Sequence, residues 1–233
     1  MSEEFRIKPV AKIINGYKEK FGVPRQSGLA ESVESRIVFE PEFRDENMLR
    51  GIEQYSHLWL IWGFSENTEK WSPTVRPPKL GGNERIGVFA TRSPFRPNSL
   101  GLSCVEVLRV EKTSQGKELV VGGADLVNGT PVFDIKPYLP YVDSKPGAQG
   151  GFSDEHKNDI LSVEFLESVK GVLSEKDAEE LTEILSLDPR PQYQNDSERI
   201  YGMDYKNFRV KFRCAEEKIT VVEIQKEKID DRN

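Results

Sequence analysis

The sequence predicts a mainly β fold in two parts: an antiparallel β-barrel or sandwich, then a small α+β C-terminal unit. Three observations carry this. Short runs rich in β-branched and aromatic residues, punctuated by Gly, Pro, Asn and Ser, fill the first part of the 233-residue chain. A polar stretch with three Gly and one Pro, Asp143 to Phe152, comes next and reads as a linker. Beyond it the pattern changes, and an apolar face at helical spacing stands between strand-like runs. The predicted division is 1–142, a linker at 143–158, and 159–233.

In the first unit, strands are predicted at Ile7–Asn15, Arg36–Phe39, His57–Phe64, Arg85–Ala90, Leu102–Val110, Glu118–Gly123 and Pro131–Ile135. Lys117–Gly123 and Pro131–Ile135 flank Asn128-Gly129, a pair that favours the tight turn of a hairpin. Met48, Leu49 and Ile52 recur at helical spacing and predict a short helix within Glu42–Tyr55. The run Tyr55–Trp62 reads as a buried strand, with His57 a hydrogen-bonded core histidine and Trp62 and Trp71 packing residues. In the second unit, Ile160–Leu166 reads as a strand. Ser174-Glu175-Lys176-Asp177 fits a capping-box variant, and Ala178, Leu181, Ile184 and Leu185 then form one apolar helix face. Asp188-Pro189 ends that helix, because a residue before proline is pushed out of the α region. Tyr205–Arg213 and Lys218–Gln225 make a terminal hairpin.

The net charge of −6 looks unfavourable for a polyanion partner, since such binding rests on Lys and Arg neutralising phosphates. The mean hides an asymmetry. Residues 1–150 carry 20 basic and 19 acidic side chains, whereas 151–233 carry 13 and 20. Arg76, Lys79, Arg85, Arg92 and Arg96 face only Glu84 within their stretch. No apolar run of spanning length exists, and the first residues lack a basic, apolar leader, so a cytoplasmic chain without membrane attachment is expected. Cys104 and Cys214 have no metal or redox spacing, and with two histidines no metal site is predicted. Dinucleotide, P-loop, serine-hydrolase and zinc-protease motifs are absent.

Three loops stand out. Phe21–Gly28 brackets Pro24, Arg25 and Gln26 between glycines; it offers donors on a stiff backbone, but on these residues alone a surface turn is the favoured reading. In Thr91–Gly101, two prolines hold Arg92, Arg96 and Asn98 in a stiff path, which lowers the ordering cost of binding a carboxylate or phosphate; a structural pairing of an arginine with Asp125 or Asp134 is the rival reading. The third runs through Gly123–Pro131 to Tyr138. Asp134 and Lys136 alternate along a strand and share a face, with Tyr138 following. Acid, ammonium and phenol together can move protons, or can form a solvated ion pair.

These loops occur in stretches that, taken together, resemble the TsaA-like family of S-adenosylmethionine-dependent tRNA methyltransferases: Tyr17–Gly28, Gly51–Leu60, Pro73–Gly101, Asp125–Pro140, and Asp188-Pro189-Arg190-Pro191 with Tyr193. The resemblance implies a β-barrel that binds S-adenosyl-L-methionine outside any Rossmann framework, in a homodimer with the cofactor near the subunit interface. It implies N6 methylation of threonylcarbamoyladenosine beside the anticodon, typically in a threonine tRNA. By family analogy the cofactor would meet Pro24, Arg25, Gln26, Ser65, Glu66, Arg92, Leu102, Asp125, Leu126, Val127 and Asn128; Ser65-Glu66 stands where the family often has His-Gln. Arg76, Lys79, Arg85, Arg96 and Asn98 would meet the substrate. Asp134 is the first candidate base, with Tyr138 the alternative and Lys136 polarising the carbonyl. The competing readings are a non-catalytic barrel that binds RNA or a nucleotide, and a methyltransferase for a small metabolite.

Overall fold

The computed structural model describes residues 4–67, 70–77, 80, 84–155, 160–190 and 196–227. Strands β1 (Ala11–Ile14), β2 (Glu34–Phe39) and β3 (His57–Gly63) come first, and the short β4 (Thr74–Val75) and β5 (Ile86–Gly87) follow. Then come β6 (Leu100–Thr113), β7 (Gly116–Gly122) and β8 (Pro131–Pro137). Six of these close a barrel in the order β1-β2-β7-β6-β3-β8, every pair antiparallel. The alternation that predicted strands is the alternation that fills the barrel. β2 buries every second residue, so Ile37 and Phe39 enter the core with Ile13, Leu58, Leu60, Val105, Leu119 and Val132.

Short helices α1 (Pro140–Asp143) and α2 (Phe152–Glu155) lead to β9 (Ser162–Phe165), α3 (Glu175–Ser186), β10 (Tyr201–Tyr205), β11 (Phe208–Ala215) and β12 (Lys218–Lys226). The second sheet has the order β10-β11-β12-β9, with β9 parallel to β12. The α3 cap forms as its sequence predicts: Ser174 Oγ accepts from the Asp177 backbone N–H at 3.1 Å. The terminal hairpin turns through Glu216 and Glu217, both at positive φ (48° and 61°).

Four expectations are corrected. Asn128-Gly129 does turn, but β7 and β8 are not partners; β7 lies between β2 and β6, and β8 between β1 and β3, because closing the ring leaves both edges of each occupied. Glu42–Tyr55 forms three separate 3-10 turns rather than one helix, since Gly51 sits at φ 87° and breaks the periodicity. His57 is exposed at the start of β3, with Ser56 Oγ 2.9 Å from its Nδ1, and Trp71 is 57% exposed. Only Trp62 of the packing residues is buried.

The second core holds a further surprise. Between β1 and β2 the chain leaves the barrel, and Tyr17, Ala30 and Val33 are buried among Leu181, Ile184, Met203, Phe212 and their neighbours. Phe21 and Val23 pack against the same core.

Candidate functional site

The three loops meet around one cavity of about 1100 Å³. Its floor is the outer face of β3 and β6, carrying Trp59, Ile61, Gly101 and Leu102; its walls are Pro24–Gln26, Phe64–Asn67, the segment from Phe89 to Asn98, Asp125 and Val127. The wall segments come from no single stretch of sequence; hydrogen bonds knit them together. Gly28 N–H donates to Gly123 O at 2.8 Å, Ser27 Oγ accepts from Cys104 N–H at 3.1 Å, and Asn67 Nδ2 donates to Pro94 O at 2.9 Å.

Charge and burial shape this wall. Trp62 Nε1 donates to Ser103 Oγ at 2.9 Å, and Ser103 Oγ donates to Asp125 Oδ1 at 2.5 Å. Burial pushes the Asp125 carboxyl above its ordinary range; the Ser103 bond and the charge of Arg92 oppose the shift. Arg92 donates to the side-chain carbonyl of Gln26, 66 residues away in sequence, and Gln26 Nε2 donates to Arg25 O at 2.5 Å. The Asp125 carboxyl and the Arg92 guanidinium thus share one recess, bounded by Trp59, Trp62, Phe64, Phe89 and Phe95.

Among the residues expected to meet a cofactor, Pro24, Arg25, Gln26, Ser65, Glu66, Arg92, Leu102, Asp125 and Val127 line the cavity. Leu126 does not: it is 1% exposed and belongs to the barrel core. Asn128 also lies outside the lining, and its Oδ1 accepts from Asn15 N–H at 3.0 Å. Arg25 lines the cavity, yet its Nη2 donates to the carbonyls of Asp188 (3.4 Å) and Arg190 (3.3 Å) in the second unit.

Of the residues expected to meet a substrate, Arg96 and Asn98 line the cavity, and Arg96 Nη1 also donates to Thr91 O and Ser93 O at 3.1 and 3.2 Å. Arg85 is exposed and bonded to Thr74, while Arg76 is exposed outside the lining. Lys79 lies outside the described residues. Asp134 and Lys136 form an ion pair at 3.0 Å with both side chains at least half exposed. They stand opposite Ile61 and Trp59, one strand away from the cavity floor. Tyr138 packs against Trp59 and His57, with ring centroids 5.7 and 6.2 Å apart. Sequence reasoning missed Trp59, Phe89 and Ser103. Phe89, 79% exposed on the cavity rim, followed a Gly-Val pair that reads as ordinary strand. Among the described residues no cluster of His, Cys, Asp and Glu is arranged to hold a metal ion.

The comparisons with known proteins agree with this architecture. The family model for the tRNA-methyltransferase O N-terminal domain matches residues 12–144, and that for the TrmO C-terminal domain matches residues 158–227. The chain is 41% identical to a tRNA (adenine(37)-N6)-methyltransferase of Escherichia coli K12 over 91% of its own length and 94% of that protein. It is 40% identical, over 84% of its length and 87% of the relative, to a Pseudomonas aeruginosa protein, RcsF, named for S-adenosylmethionine-dependent methyl transfer. A crystal structure of TrmO from Pseudomonas aeruginosa superposes with a TM-score of 0.78 at 29% identity, covering 96% of this chain and 99% of that one. With both family models matched in order along a barrel and an α+β unit, the chain belongs to the tRNA-methyltransferase O (TrmO) family.

Proposed function

We propose that the protein is an S-adenosylmethionine-dependent tRNA methyltransferase that methylates N6 of threonylcarbamoyladenosine at position 37, beside the anticodon, of a threonine tRNA. The observation that carries this reading is the cavity where Arg92, Gln26 and Asp125 converge among aromatic side chains. The donor set fits the cofactor. A carboxylate and a guanidinium suit the ammonium and carboxylate of its amino-acid end, and aromatic faces suit its adenine and its sulfonium cation. Bound there, the cofactor supplies an electrophilic methyl group. At about 1100 Å³ the cavity exceeds the usual size of a small-molecule pocket, which leaves room for an extruded nucleoside.

The residues then take distinct roles. Pro24, Arg25, Gln26, Ser65, Glu66, Arg92, Leu102, Asp125 and Val127 form the cofactor wall, and positioning for in-line transfer supplies much of the acceleration. Phe89 and Arg96 also line the cavity, where an unstacked base can be held by an aromatic face and its backbone by a cation. Asp134 accepts the N6 proton, with Lys136 beside it to polarise the carbonyl of the carbamoyl group and Tyr138 as the alternative acceptor. Residues 1–142 act as the catalytic unit, 143–158 as linker and 159–233 as its support. The exposed apolar side chains Leu102 and Phe89 at the cavity suit a homodimer whose interface borders the site. A tRNA substrate places the protein in the cytoplasm.

The test is methyl transfer from labelled S-adenosylmethionine into tRNA carrying or lacking threonylcarbamoyladenosine, with mass spectrometry of the nucleoside. Incorporation only into the modified tRNA is expected. Salt-sensitive tRNA binding without incorporation points to a non-catalytic barrel, and turnover of a free metabolite without tRNA to a different substrate class; either overturns the proposal. For Asp134→Asn the expected result is a fall in turnover of about 100-fold with unchanged cofactor affinity, as for loss of a general base.

A further inference from the structure

We propose that the Asp188–Arg190 turn of the second unit is a positioning device for the Pro24–Gln26 loop, through which that unit sets the affinity of the barrel for its methyl donor. The inference rests on the reading that this loop holds the cofactor.

The turn is built to be rigid. After α3, Asp188 adopts φ 48°, a left-handed conformation that turns the chain sharply. Its carboxylate is gripped by Arg190 as a fork, Nε to Oδ1 at 2.7 Å and Nη2 to Oδ2 at 2.9 Å. The Arg190 side chain is 13% exposed, and its guanidinium lies 6.0 Å from the centroid of the Tyr201 ring. A bidentate pair between residues two apart leaves the intervening backbone little freedom. The carbonyls of Asp188 and Arg190 consequently converge on one donor, Arg25 Nη2, at 3.4 and 3.3 Å.

The loop is anchored to the same unit by apolar contacts on its other side. Phe21 stacks on Phe212 with centroids 6.4 Å apart and planes at 17°, and Val23 packs on the second core. Gly22 sits at φ 96°, and a Cβ there would lie 3.2 Å from the Met203 methyl carbon, so this end of the loop is also held closely. Directly after the Arg25 anchor, Gln26 accepts a hydrogen bond from Arg92. Neither Asp188 nor Arg190 lines the cavity. They act on the site through Arg25. Ordering the loop in advance removes its ordering cost from ligand binding, so loss of the turn should appear in affinity rather than in the chemical step.

The experiment measures S-adenosylmethionine binding by calorimetry, and methylation kinetics on tRNA, for Asp188→Ala, Arg190→Ala, Arg25→Met and the double variant Arg25→Met/Asp188→Ala of the full chain. Gln26→Ala is run in parallel as a test of the loop itself. The turn variants are expected to raise Kd and KM for S-adenosylmethionine about tenfold while kcat at saturation stays within about twofold, the signature of lost preorganisation. The double variant should bind no more weakly than Arg25→Met alone, because both changes remove one interaction. Weakened binding in Gln26→Ala with unchanged Kd in the turn variants overturns the inference. Unchanged Kd in Gln26→Ala as well overturns the underlying reading of the loop. A loss in kcat at unchanged Kd, or additive effects in the double variant, also overturns the positioning role. Where a turn variant fails to fold, Arg190→Lys, which keeps the charge and loses the fork, is measured for the same shift in Kd.

Discussion

A Cβ on Gly101 would lie 2.2 Å from the Trp62 ring, so the cavity floor admits nothing larger than glycine at that point. Gly101→Ala should displace the indole, disturb its bond to Ser103 and cost about 1–3 kcal/mol of stability by overpacking, read as a lower melting temperature and weaker cofactor binding. Arg92→Lys keeps the charge but loses the planar fork; cofactor Kd should rise about tenfold in a direct titration, and an unchanged Kd would remove Arg92 from the site. The sequence disclosed such residues unevenly. Arg92 and Asp125 stood in loops stiffened by proline and glycine, where charge is hard to explain as connection alone. Ser103 gave no signal, because a small polar residue in a strand looks the same whether or not it links Trp62 to Asp125. Arg25 was legible as a donor, but its acceptors are main-chain carbonyls of the distant residues Asp188 and Arg190, which leave no mark on side-chain pattern.

At the scale of elements, β2, β6, β7 and α3 are joined by a ladder of ion pairs. Lys176 meets Glu34 at 2.7 Å, Glu34 meets Arg109 at 2.8 Å, Arg109 meets Glu111 at 2.5 Å, and Arg36 bridges Glu111 and Glu118. Hydrogen bonds from Arg109 and then Lys176 hold the Glu34 carboxyl down at about 2, against an ordinary value of 4.5. A carboxyl lowered on folding stabilises the fold above its unfolded value and loses that contribution as pH falls toward the folded one. Glu34→Gln should therefore cost about 1 kcal/mol at pH 6, the scale of a partly exposed pair, and the difference from wild type should vanish as pH falls from 4.5 toward 2 in denaturant titrations. A difference that persists undiminished at low pH would assign the effect to packing. Elements with one periodic apolar face and a capping signal, α3 above all, were legible in advance. The Asn128-Gly129 turn was legible too, but strand partners were not, because a local turn does not say which edges a closing ring will occupy. Residues 42–55 misled because Met48, Leu49 and Ile52 stand at helical spacing in the sequence, although Gly51 parts them into separate 3-10 turns.

For the whole molecule, the charge asymmetry has a measurable outcome. With net −6 overall and a locally cationic stretch between Arg76 and Arg96, where five basic side chains meet one acid, the protein should bind tRNA through few phosphate contacts. The slope of log K against log salt should be shallow, and Arg76→Ala should reduce it by about one contact without changing sequence preference; an unchanged slope would place Arg76 away from the backbone. Another property follows from the excursion of the chain between β1 and β2. Tyr17, Ala30 and Val33 are buried with Leu181, Tyr205, Phe212 and Ile219, so the second core is completed by residues from both ends of the chain. Contacts of such sequence separation form late, since a long loop must close before they reward it. On the ribosome, the early segment waits with its apolar side chains uncovered until the last strands emerge. The Pro24–Gln26 loop within that segment takes its final shape only then; if it holds the methyl donor as proposed, competence to bind that donor depends on the second unit as well as on the barrel that is synthesised first.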